Sequence, residues 1–445
     1  MNGFRVLILG LDCLDPGLVE AFLDDLPVLQ ELIKRGEFRR LRSVDPPITV
    51  PAWMCAFTGK DPGELGVYGF RNRADHSYEG FRISTSAAFR APAIWDELGR
   101  MGLRSIVVGV PGTYPPKPVK GLLVSGFLTP STETTYTFPP SLKRRIREIV
   151  GEYIIDVREF RTEDKARVIQ EVHRMTERRF DFMATLLVEE EWDFAVVVEM
   201  GPDRIHHALW AHHDPTHPKH DPQSPYRDAI RDYYRYLDTR IGKLLEAVPS
   251  RTQIVVMSDH GIQPMYGGIA VNEWLIREGY LALKEYPTEP VPIRDLIERE
   301  LVDWSRTVAW GEGGYYGRIF LNVRGREPQG TVSPDEYNVV RRELARKLEA
   351  LTDEEGKPLG TRVLFPEEIY REVSGIPPDL IVYFGDLRWR SIGTVGRGVI
   401  HWHENDTGPD DANHAPHGVF IASPALAGRD LSLPEVHGLI LGCFR

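Results

Sequence analysis

Carboxylate and imidazole side chains recur in this sequence where apolar runs end. Asp12 follows RVLILGL, Asp203 follows AVVVEMGP, and Asp259 follows IVVMS. His207 comes four residues after Asp203, a spacing that places both side chains on one face of a helix, and His260 comes directly after Asp259. Any one of these aspartates alone is also compatible with a turn or a helix cap. Together they predict a divalent-metal site, because carboxylate and imidazole are the usual ligands of catalytic zinc and also suit manganese.

Histidines are unevenly distributed along the chain. Of the 14 histidines, six lie in residues 206–220 and four in residues 401–417. The late segment NHAPHG supplies His414 and His417 just before the final apolar run. The polar loop HHDPTHPKHDPQSP is compatible with a separate metal site or with a solvated loop near the entrance to the main site. Its histidines are His212, His213, His217 and His220.

A nucleophile is the remaining requirement for hydrolysis. Thr49 begins the run Thr-Val-Pro-Ala-Trp, and Thr58-Gly59-Lys60 follows downstream. A threonine alkoxide is scarcely populated at neutral pH, so a nucleophilic threonine needs a metal to lower its pKa. Thr49 is therefore a candidate nucleophile only if the predicted metal site lies beside it.

The elements that must position these residues follow an alternating pattern. Short, continuously apolar runs indicate strands covered on both faces. Longer amphipathic stretches lie between them, and strands alternating with helices predict parallel βαβ units. We therefore predict an α/β fold with a doubly wound, mostly parallel central sheet and helices on both faces. The runs are Arg5–Leu11, Ser105–Val110, Leu122–Phe127, Phe194–Met200, Gln253–Met257, Leu380–Phe384 and Val419–Ala422, and the helical stretches are Gly17–Arg35, Ser141–Val150, Lys165–Glu190, Tyr226–Val248 and Glu336–Leu351.

The alternation weakens in the second half of the chain. From Gln263 to about Arg371, glycine, proline and aromatic residues accumulate. We predict that residues 263–371 form an inserted cap or lid, and that residues 1–262 and 372–445 form the core. In an open α/β sheet, ligands bind at the carboxyl ends of the strands, so the three aspartates converge there although they are distant in sequence.

Composition excludes several classes of protein. The chain has 445 residues and a formal net charge of −11, from 54 basic and 65 acidic side chains, which argues against dedicated nucleic-acid binding. No apolar run is long enough for a membrane span, and the apolar core of MNGFRVLILGLDCL is too short for a signal peptide. Three cysteines cannot form a disulfide framework. These features predict a cytoplasmic enzyme, with no indication of its oligomeric state.

Taken in order, the chemical residues resemble the alkaline phosphatase superfamily, and most closely its type I phosphodiesterase/nucleotide pyrophosphatase branch. Stretches such as VNEWLIREGYL, GREPQGTV and TGPDDANHAPHG look like its group of predicted phosphohydrolases or phosphomutases. The resemblance spans nearly the whole chain. It is carried by Asp12, Thr49 with Thr58-Gly59, Asp203-x-x-x-His207, Met257-Ser-Asp-His-Gly261 and His414.

The resemblance implies a site with two divalent ions, zinc or alternatively manganese. His414, rather than His417, matches the superfamily position by its distance from the Gly418–Ala422 strand. Two adjacent cations activate a nucleophile and stabilise charge on the leaving oxygen. Thr49 would accept the phosphoryl group covalently before hydrolysis releases it. The implied ligands are Asp12, Thr49, Asp259 and His260 for one ion, and Asp203, His207 and His414 for the other.

Two positions depart from the pattern of that branch. An asparagine that contacts a phosphate oxygen is replaced here by Phe70, and a histidine in the preceding loop is replaced by Leu65. Arg71 and Asn72 follow at once and are candidates for substrate binding together with Phe70. The resemblance favours hydrolysis of a phosphodiester or pyrophosphate bond in a small phosphate ester or nucleotide-like molecule. A phosphomutase or a phosphomonoesterase that uses the same metals is the alternative.

Other classes of protein fit the sequence less well. Thr49-Val-Pro-Ala-Trp53 lacks both the convertible Cys or Ser and the Arg of a sulfatase. The first strand is not followed by G-x-G-x-x-G, and Gly59-Lys60 is followed by Asp rather than by the Ser or Thr of a P-loop. Three scattered cysteines exclude a Cys-rich structural zinc site.

Overall fold

The computed structural model describes residues 4–426 and 431–445. The predicted helix Gly17–Arg35 is broken before Pro27, which starts a new helix because its missing N–H is not needed in the first turn. Two one-turn 3₁₀ helices lie at Leu23–Asp25 and Ser86–Ala88. The α-helices of the described residues are α1 (Pro16–Phe22), α2 (Pro27–Arg35), α3 (Thr49–Thr58), α4 (Pro62–Leu65), α5 (Ile94–Arg100), α6 (Leu142–Val150), α7 (Lys165–Glu189), α8 (Gly201–His213), α9 (Ala229–Glu246), α10 (Val271–Arg277), α11 (Ile293–Glu298), α12 (Tyr337–Glu349), α13 (Pro366–Ile369) and α14 (Leu433–Gly442).

Strands occupy most of the continuously apolar runs, with ends that differ by a few residues from the predicted ones. The strands of the described residues are β1 (Arg5–Leu11), β2 (Glu37–Arg42), β3 (Arg71–Arg73), β4 (Phe81–Ile83), β5 (Ser105–Val110), β6 (Gly121–Ser125), β7 (Thr137–Phe138), β8 (Phe194–Glu199), β9 (Thr252–Met257), β10 (Gly261–Pro264), β11 (Gly267–Ala270), β12 (Val291–Pro292), β13 (Ala309–Glu312), β14 (Gly317–Leu321), β15 (Arg362–Leu364), β16 (Leu380–Tyr383), β17 (Trp389–Ile392), β18 (Thr394–Val395), β19 (His401–Trp402), β20 (Ala412–Ala415), β21 (His417–Ser423) and β22 (Leu431–Ser432).

A nine-stranded sheet forms the centre of the first compact unit, which contains residues 4–70, 84–262 and the described residues from 414 onward. Its strand order is β22-β2-β21-β9-β1-β8-β5-β6-β7. Strand β1 pairs in parallel with both β8 and β9, and β5 continues the parallel part beside β8. Strand β21 pairs with β9 in antiparallel orientation, and β7 pairs with β6 in the same way. The unit is the predicted mostly parallel, doubly wound α/β sheet.

Continuous burial explains why the central strands read as unbroken apolar runs. Val6, Ile8, Val196 and Val255 are fully buried in one apolar cluster with side chains of α3, α5 and α14. Helix α3 lies between the sheet and α14, and all of its side chains from Thr49 to Thr58 are buried. Each Å² of apolar surface that α3 removes from water stabilises this packing by about 25 cal/mol.

A second compact unit contains residues 71–83 and 263–413. It has its own apolar core around Trp310 and an antiparallel four-stranded sheet in the order β13-β14-β16-β15. The segment expected as an insertion, residues 263–371, lies within this unit, which extends further to residue 413. The hairpin β3–β4 also belongs to it, although it comes long before the insertion in sequence.

One strand assignment needs correction. The run Leu380–Phe384 was expected to resume the central sheet, but Leu380–Tyr383 pairs in antiparallel fashion with β14 and β15 in the second unit. The central sheet resumes only at His417–Ser423. A continuous apolar run indicates a strand that is buried on both faces, but it carries no information on which sheet contains the strand.

The described helices include none with both the length and the apolar character needed to cross a bilayer. The longest, α7, has 25 residues but carries charged side chains throughout.

Candidate metal centre

The carboxyl ends of three neighbouring parallel strands carry the acidic residues of the site. Leu11 at the end of β1 lies level with Glu199 of β8, and Gly10 lies level with Met257 of β9. Asp12 therefore emerges beside the first turn of α8, which contains Asp203, and beside Asp259 after β9. Three aspartates that are 191 and 56 residues apart in sequence meet at one edge of the sheet because the strands are parallel and adjacent.

The first group of possible ligands consists of Asp12, Asp259 and His260. One ligand atom from each residue lies within 4.8 Å of those of the other two, and all three side chains are fully buried. His260 Nε2 lies 3.2 Å from Asp259 Oδ2 and 3.9 Å from Asp12 Oδ1. Thr49 Oγ1 lies 3.5 Å from the same imidazole nitrogen. A hydroxyl, two carboxylates and an imidazole thus face a common centre.

The second group consists of Asp203, His207 and His414, which meet the same 4.8 Å criterion and are also buried. Asp203 and His207 lie four residues apart on α8, and Asp203 Oδ1 is 3.3 Å from His207 Nε2. His414 comes from β20, and its Nε2 lies 3.8 Å from Asp203 Oδ1. The helical pair Asp203 and His207 and the late His414 thus form one cluster beside the first group.

Backbone carbonyls determine which nitrogen of two imidazoles faces the centre. His260 Nδ1 lies 3.1 Å from the carbonyl oxygen of Gly261, and His414 Nδ1 lies 2.6 Å from that of Pro47. A carbonyl oxygen only accepts, so each Nδ1 carries the proton and each Nε2 offers its lone pair. This is the arrangement of histidine ligands whose second nitrogen donates to a backbone carbonyl.

Electrostatics favour cations at this centre. Burial raises the pKa of Asp12, as do the negative charges of Asp259 and Asp203. Burial likewise raises the pKa of Asp259. Although burial opposes ionisation of Asp203, the neighbouring charges of His207 and Arg204 hold its pKa well below the usual range. Among the described residues, none donates a hydrogen bond to Asp12 Oδ1 or Asp259 Oδ2. Buried carboxylate oxygens of this kind fit divalent ions.

Burial favours the neutral form of two of the imidazoles, which is the form that binds a metal. Burial lowers the pKa of His260 to about 4. Burial, together with repulsion from His260 and His207 when they are protonated, also lowers the pKa of His414 well below its usual range. A metal ligand must present an unprotonated nitrogen, and at neutral pH the lowered pKa values favour that form of both imidazoles.

Thr49 is the first residue of α3, and Ile48 is its extended N-cap residue. The helix N-terminus carries a partial positive charge, which favours a phosphate group at this position. Pro47, two residues earlier, is the residue whose carbonyl holds His414. The chain segment that begins the helix therefore positions both the hydroxyl of Thr49 and one imidazole of the second group.

Two residues that sequence reasoning missed hold the carboxylates in place. The indole N–H of Trp53 donates to Asp12 Oδ2 at 2.6 Å. The ring of Trp53 can approach β1 closely because Gly10 has no side chain there, and a Cβ on Gly10 would lie only 2.7 Å from the ring. Arg204 Nη1 donates to Asp203 Oδ2, and its Nε and Nη2 donate to both oxygens of Asp156 at 2.7 and 2.8 Å. The only sequence signal for either role was adjacency, because Arg204 follows Asp203 and Trp53 lies one helical turn after Thr49.

The three candidate substrate-binding residues are divided between the two units, with Phe70 in the first and Arg71 and Asn72 in the second. The ring of Phe70 packs edge-on against Phe127, with 5.5 Å between ring centroids, and joins the apolar cluster beneath α3. It offers no polar group in place of an asparagine. Arg71 and Asn72 begin β3 in the second unit, where Asn72 is opposite Arg82 and the carbonyl of Arg71 accepts a hydrogen bond from Arg318.

Other histidines of the two histidine-rich segments contact residues outside the two groups of ligands or are exposed. His206, next to His207, turns away and its Nε2 contacts the hydroxyl of Tyr234 at 3.1 Å. His417 is exposed on β21, opposite Arg42. In the loop after α8, His212 Nδ1 contacts Ser224 Oγ at 2.8 Å and His220 Nδ1 contacts the carbonyl of Ala211 at 2.9 Å. Over the described residues, the loop histidines form no group with metal-ligand geometry.

Comparisons with known proteins agree with this architecture. Among solved structures, phosphonoacetate hydrolase from Sinorhizobium meliloti 1021, in complex with phosphonoformate, aligns with a TM-score of 0.63 and 16% identity, covering 99% of this chain and 96% of that one. Human ectonucleotide pyrophosphatase/phosphodiesterase 5 aligns with a TM-score of 0.56 and 15% identity, covering 98% and 94%. An inactive variant of its murine counterpart, in complex with AMP, gives 0.54 and 15%, covering 99% and 94%. These likenesses show a shared fold.

At the level of sequence, a search of curated proteins found no match. The sequence profile described as type I phosphodiesterase / nucleotide pyrophosphatase, in contrast, matches residues 6–410. That range spans most of the chain and includes Asp12, Thr49, Asp203 and Asp259. The chain therefore belongs to the type I phosphodiesterase/nucleotide pyrophosphatase family of the alkaline phosphatase superfamily, and it is a metal-dependent phosphoric ester hydrolase.

Proposed function

We propose that this protein hydrolyses a phosphodiester or pyrophosphate bond in a small molecule, with Thr49 as nucleophile and two divalent ions as cofactors. The observation that carries the proposal is the position of Thr49 Oγ1, 3.5 Å from His260 Nε2, beside the buried group that also contains Asp12 and Asp259. A hydroxyl held among metal-ligating side chains at a helix N-terminus has the surroundings that a nucleophilic threonine requires.

The ligands divide between two ions. Asp12, Thr49, Asp259 and His260 would hold one ion, and the second would be held by the other group of ligands, Asp203, His207 and His414. Zinc suits this set of imidazole and carboxylate donors best, and manganese is the alternative. When bound, the ions lower the pKa of the nucleophile and neutralise charge on the transferring phosphoryl group.

The protein residues have separable roles in this scheme. Thr49 forms a bond to phosphorus while the bond to the leaving oxygen breaks, and water then cleaves the phosphothreonine ester. Trp53 fixes Asp12 through its 2.6 Å hydrogen bond, and Arg204 fixes Asp203. The N-terminus of α3 supplies partial positive charge at the point where the phosphoryl group would sit.

We infer the preference for a phosphodiester substrate from the polar groups of the site. A diester carries one negative charge where a monoester carries nearly two, so a monoesterase usually needs an added cationic donor. In the first unit, Arg204 is already engaged by Asp156 and Asp203, and the asparagine position is occupied by Phe70. Relatives in this family include nucleotide pyrophosphatases, which supports a nucleotide-like substrate.

The test compares specificity constants of the metal-loaded protein for bis(p-nitrophenyl) phosphate and p-nitrophenyl phosphate at matched pH. We expect the diester to be preferred, and the variant Thr49→Ala to lose roughly three orders of magnitude in rate. Thr58→Ala is a matched control, because Thr58 is a buried threonine at the other end of α3 whose hydroxyl donates to the carbonyl of Met54. A monoester preference of about tenfold, or roughly 1.4 kcal/mol, would favour the monoesterase or phosphomutase alternative.

A further inference from the structure

Two arginines share a single carboxylate in the second unit, and a third arginine lies next to one of them. Glu312 and Arg318 are directly opposite each other on β13 and β14. Arg294 of α11 binds Glu312 through Nε at 2.9 Å and Nη2 at 2.6 Å, both to Oε2. Arg318 Nη2 lies 3.7 Å from the same oxygen, and its Nη1 donates to the carbonyl of Arg71 at 2.5 Å. Arg294 and Arg318 thus share one carboxylate, and Arg318 also contacts the backbone of Arg71 on β3.

The charges of this arginine cluster do not balance. Arg294, Arg318 and Arg71 contribute three positive charges, and Glu312 contributes one negative charge. Within the described residues, the guanidinium of Arg71 forms no ion pair. Arg318 is only 9% exposed, so its charge is poorly solvated. Arg71, by contrast, is exposed, so its guanidinium is open to an anion from solution.

A neighbouring arginine shows what a purely structural pairing looks like in this unit. Arg73, two residues after Arg71 on the same strand, is buried and its Nη1 lies 2.9 Å from Glu327 Oε1. Its Nη2 also donates to the carbonyl of Ser77. The charge of Arg73 is therefore matched by a carboxylate, whereas that of Arg71 is not. Partial burial and the charges of Arg294 and Arg318 lower the pKa of Arg71.

We propose that Arg71, Arg294 and Arg318 form a binding site for a doubly charged oxyanion of the phosphate type. The excess of two positive charges matches such a dianion, and guanidinium groups present paired donors with the geometry of phosphate oxygens. The anion has two sources, which are free inorganic phosphate and the terminal phosphoryl group of a small organic molecule. The site does not depend on hydrolysis at Thr49.

The first experiment is calorimetric titration of the metal-loaded full chain with inorganic phosphate. We expect two classes of site in the natural protein, of which Arg71→Gln weakens one by roughly tenfold, the value of one charge-assisted hydrogen bond. Arg82→Gln removes the same charge from the same hairpin and should leave both classes intact, because Arg82 is exposed and faces Asn72 across the strands. Equal phosphate binding by the natural protein and Arg71→Gln would overturn the proposal.

A second titration distinguishes the two sources. Phenylphosphonate is an organic dianion without an ester bond, so it tests whether the arginine cluster accepts a phosphoryl group attached to carbon. Binding that Arg71→Gln weakens to the same extent as phosphate binding identifies an organic phosphate as the ligand class. Binding of phosphate alone identifies the free ion. If Arg71→Gln weakens the binding of neither anion, the site is absent, whether or not the protein hydrolyses phosphodiesters.

Discussion

The imidazoles of His260 and His414 stack on each other, with ring centroids 3.8 Å apart and an angle of 15° between their planes. One belongs to each of the two groups of ligands, so the stack joins the groups into a single centre. Two protonated rings at this separation would repel each other strongly. The stack therefore disfavours simultaneous protonation of both rings, and neutral imidazoles are the form that binds metal.

The first prediction concerns metal content. The six side chains of the two buried groups, together with Thr49, should hold two divalent ions per chain, and treatment with a chelator should abolish hydrolysis. Adding zinc or manganese back should restore it, because the ligand set remains intact in the folded protein. Elemental analysis of active protein by mass spectrometry measures the stoichiometry. One ion or none per active chain would be incompatible with the two-ion scheme.

The second prediction separates two neighbouring histidines. His414→Ala should lower zinc occupancy, because His414 Nε2 lies 3.8 Å from Asp203 Oδ1 in the second group. His417→Ala should retain zinc, because His417 is exposed and lies opposite Arg42. Equilibrium dialysis against a zinc buffer gives both occupancies. The reverse ranking would show that the wrong histidine has been assigned.

The third prediction tests the hydrogen bond between Trp53 and Asp12. Trp53→Phe keeps the aromatic packing on Phe57 but removes the donor to Asp12 Oδ2. Loss of such an outer contact typically lowers metal affinity by about tenfold to a hundredfold. Trp192→Phe is the matched control, since the buried Trp192 donates its indole N–H to the carbonyl of Leu187. Competition with a zinc-chelating dye measures the affinity, and equal values for the two variants would contradict the assigned role.

The fourth prediction concerns the pH dependence of stability. Burial lowers the pKa of His173, whose ring lies against Tyr236 and Tyr233 at centroid distances of 4.3 and 5.5 Å, while the charge of Asp232 opposes the shift. The unfolded chain, with a histidine pKa of about 6.5, therefore binds a proton before the folded chain does. Stability should fall as pH decreases through about 6.5, by at most about 1.4 kcal/mol per pH unit for this group.

Urea unfolding at pH 7.5 and at pH 5 tests this fourth prediction. The natural protein should lose more free energy of unfolding between the two pH values than His173→Gln, because the variant has no imidazole to protonate. A variant with the same or a steeper pH dependence would show that His173 is not a buried neutral group.

Much of the fold and of the acidic set could be predicted from the sequence. Strands β1, β8 and β9 are continuous apolar runs because both of their faces are covered, and ligands collect at the carboxyl ends of such strands. The convergence of Asp12, Asp203 and Asp259 follows from that rule. Asp203 and His207 lie on the same face of a helix because residues four positions apart are neighbours along a helix of about 3.6 residues per turn.

Other features depend on contacts between distant segments and could not be predicted. The hairpin β3–β4 belongs to the second unit through its packing with residues more than 180 positions later, which no local pattern records. The side chains of Trp53 and Arg204 have several rotamers, and only tertiary packing turns them toward Asp12 and Asp203. Arg71 illustrates the same limit, since its arginine neighbours come from α11 and β14.

The central claim is that Thr49 carries the transferred group during hydrolysis. Acid quenching during steady-state turnover of a diester, followed by peptide mass spectrometry, tests this claim most directly. Our account predicts that the peptide containing Thr49 gains the mass of the transferred phosphoryl group, and that Thr49→Ala gives no such adduct. Full turnover without an adduct on this peptide, or an adduct on another residue in the natural protein, would contradict the account.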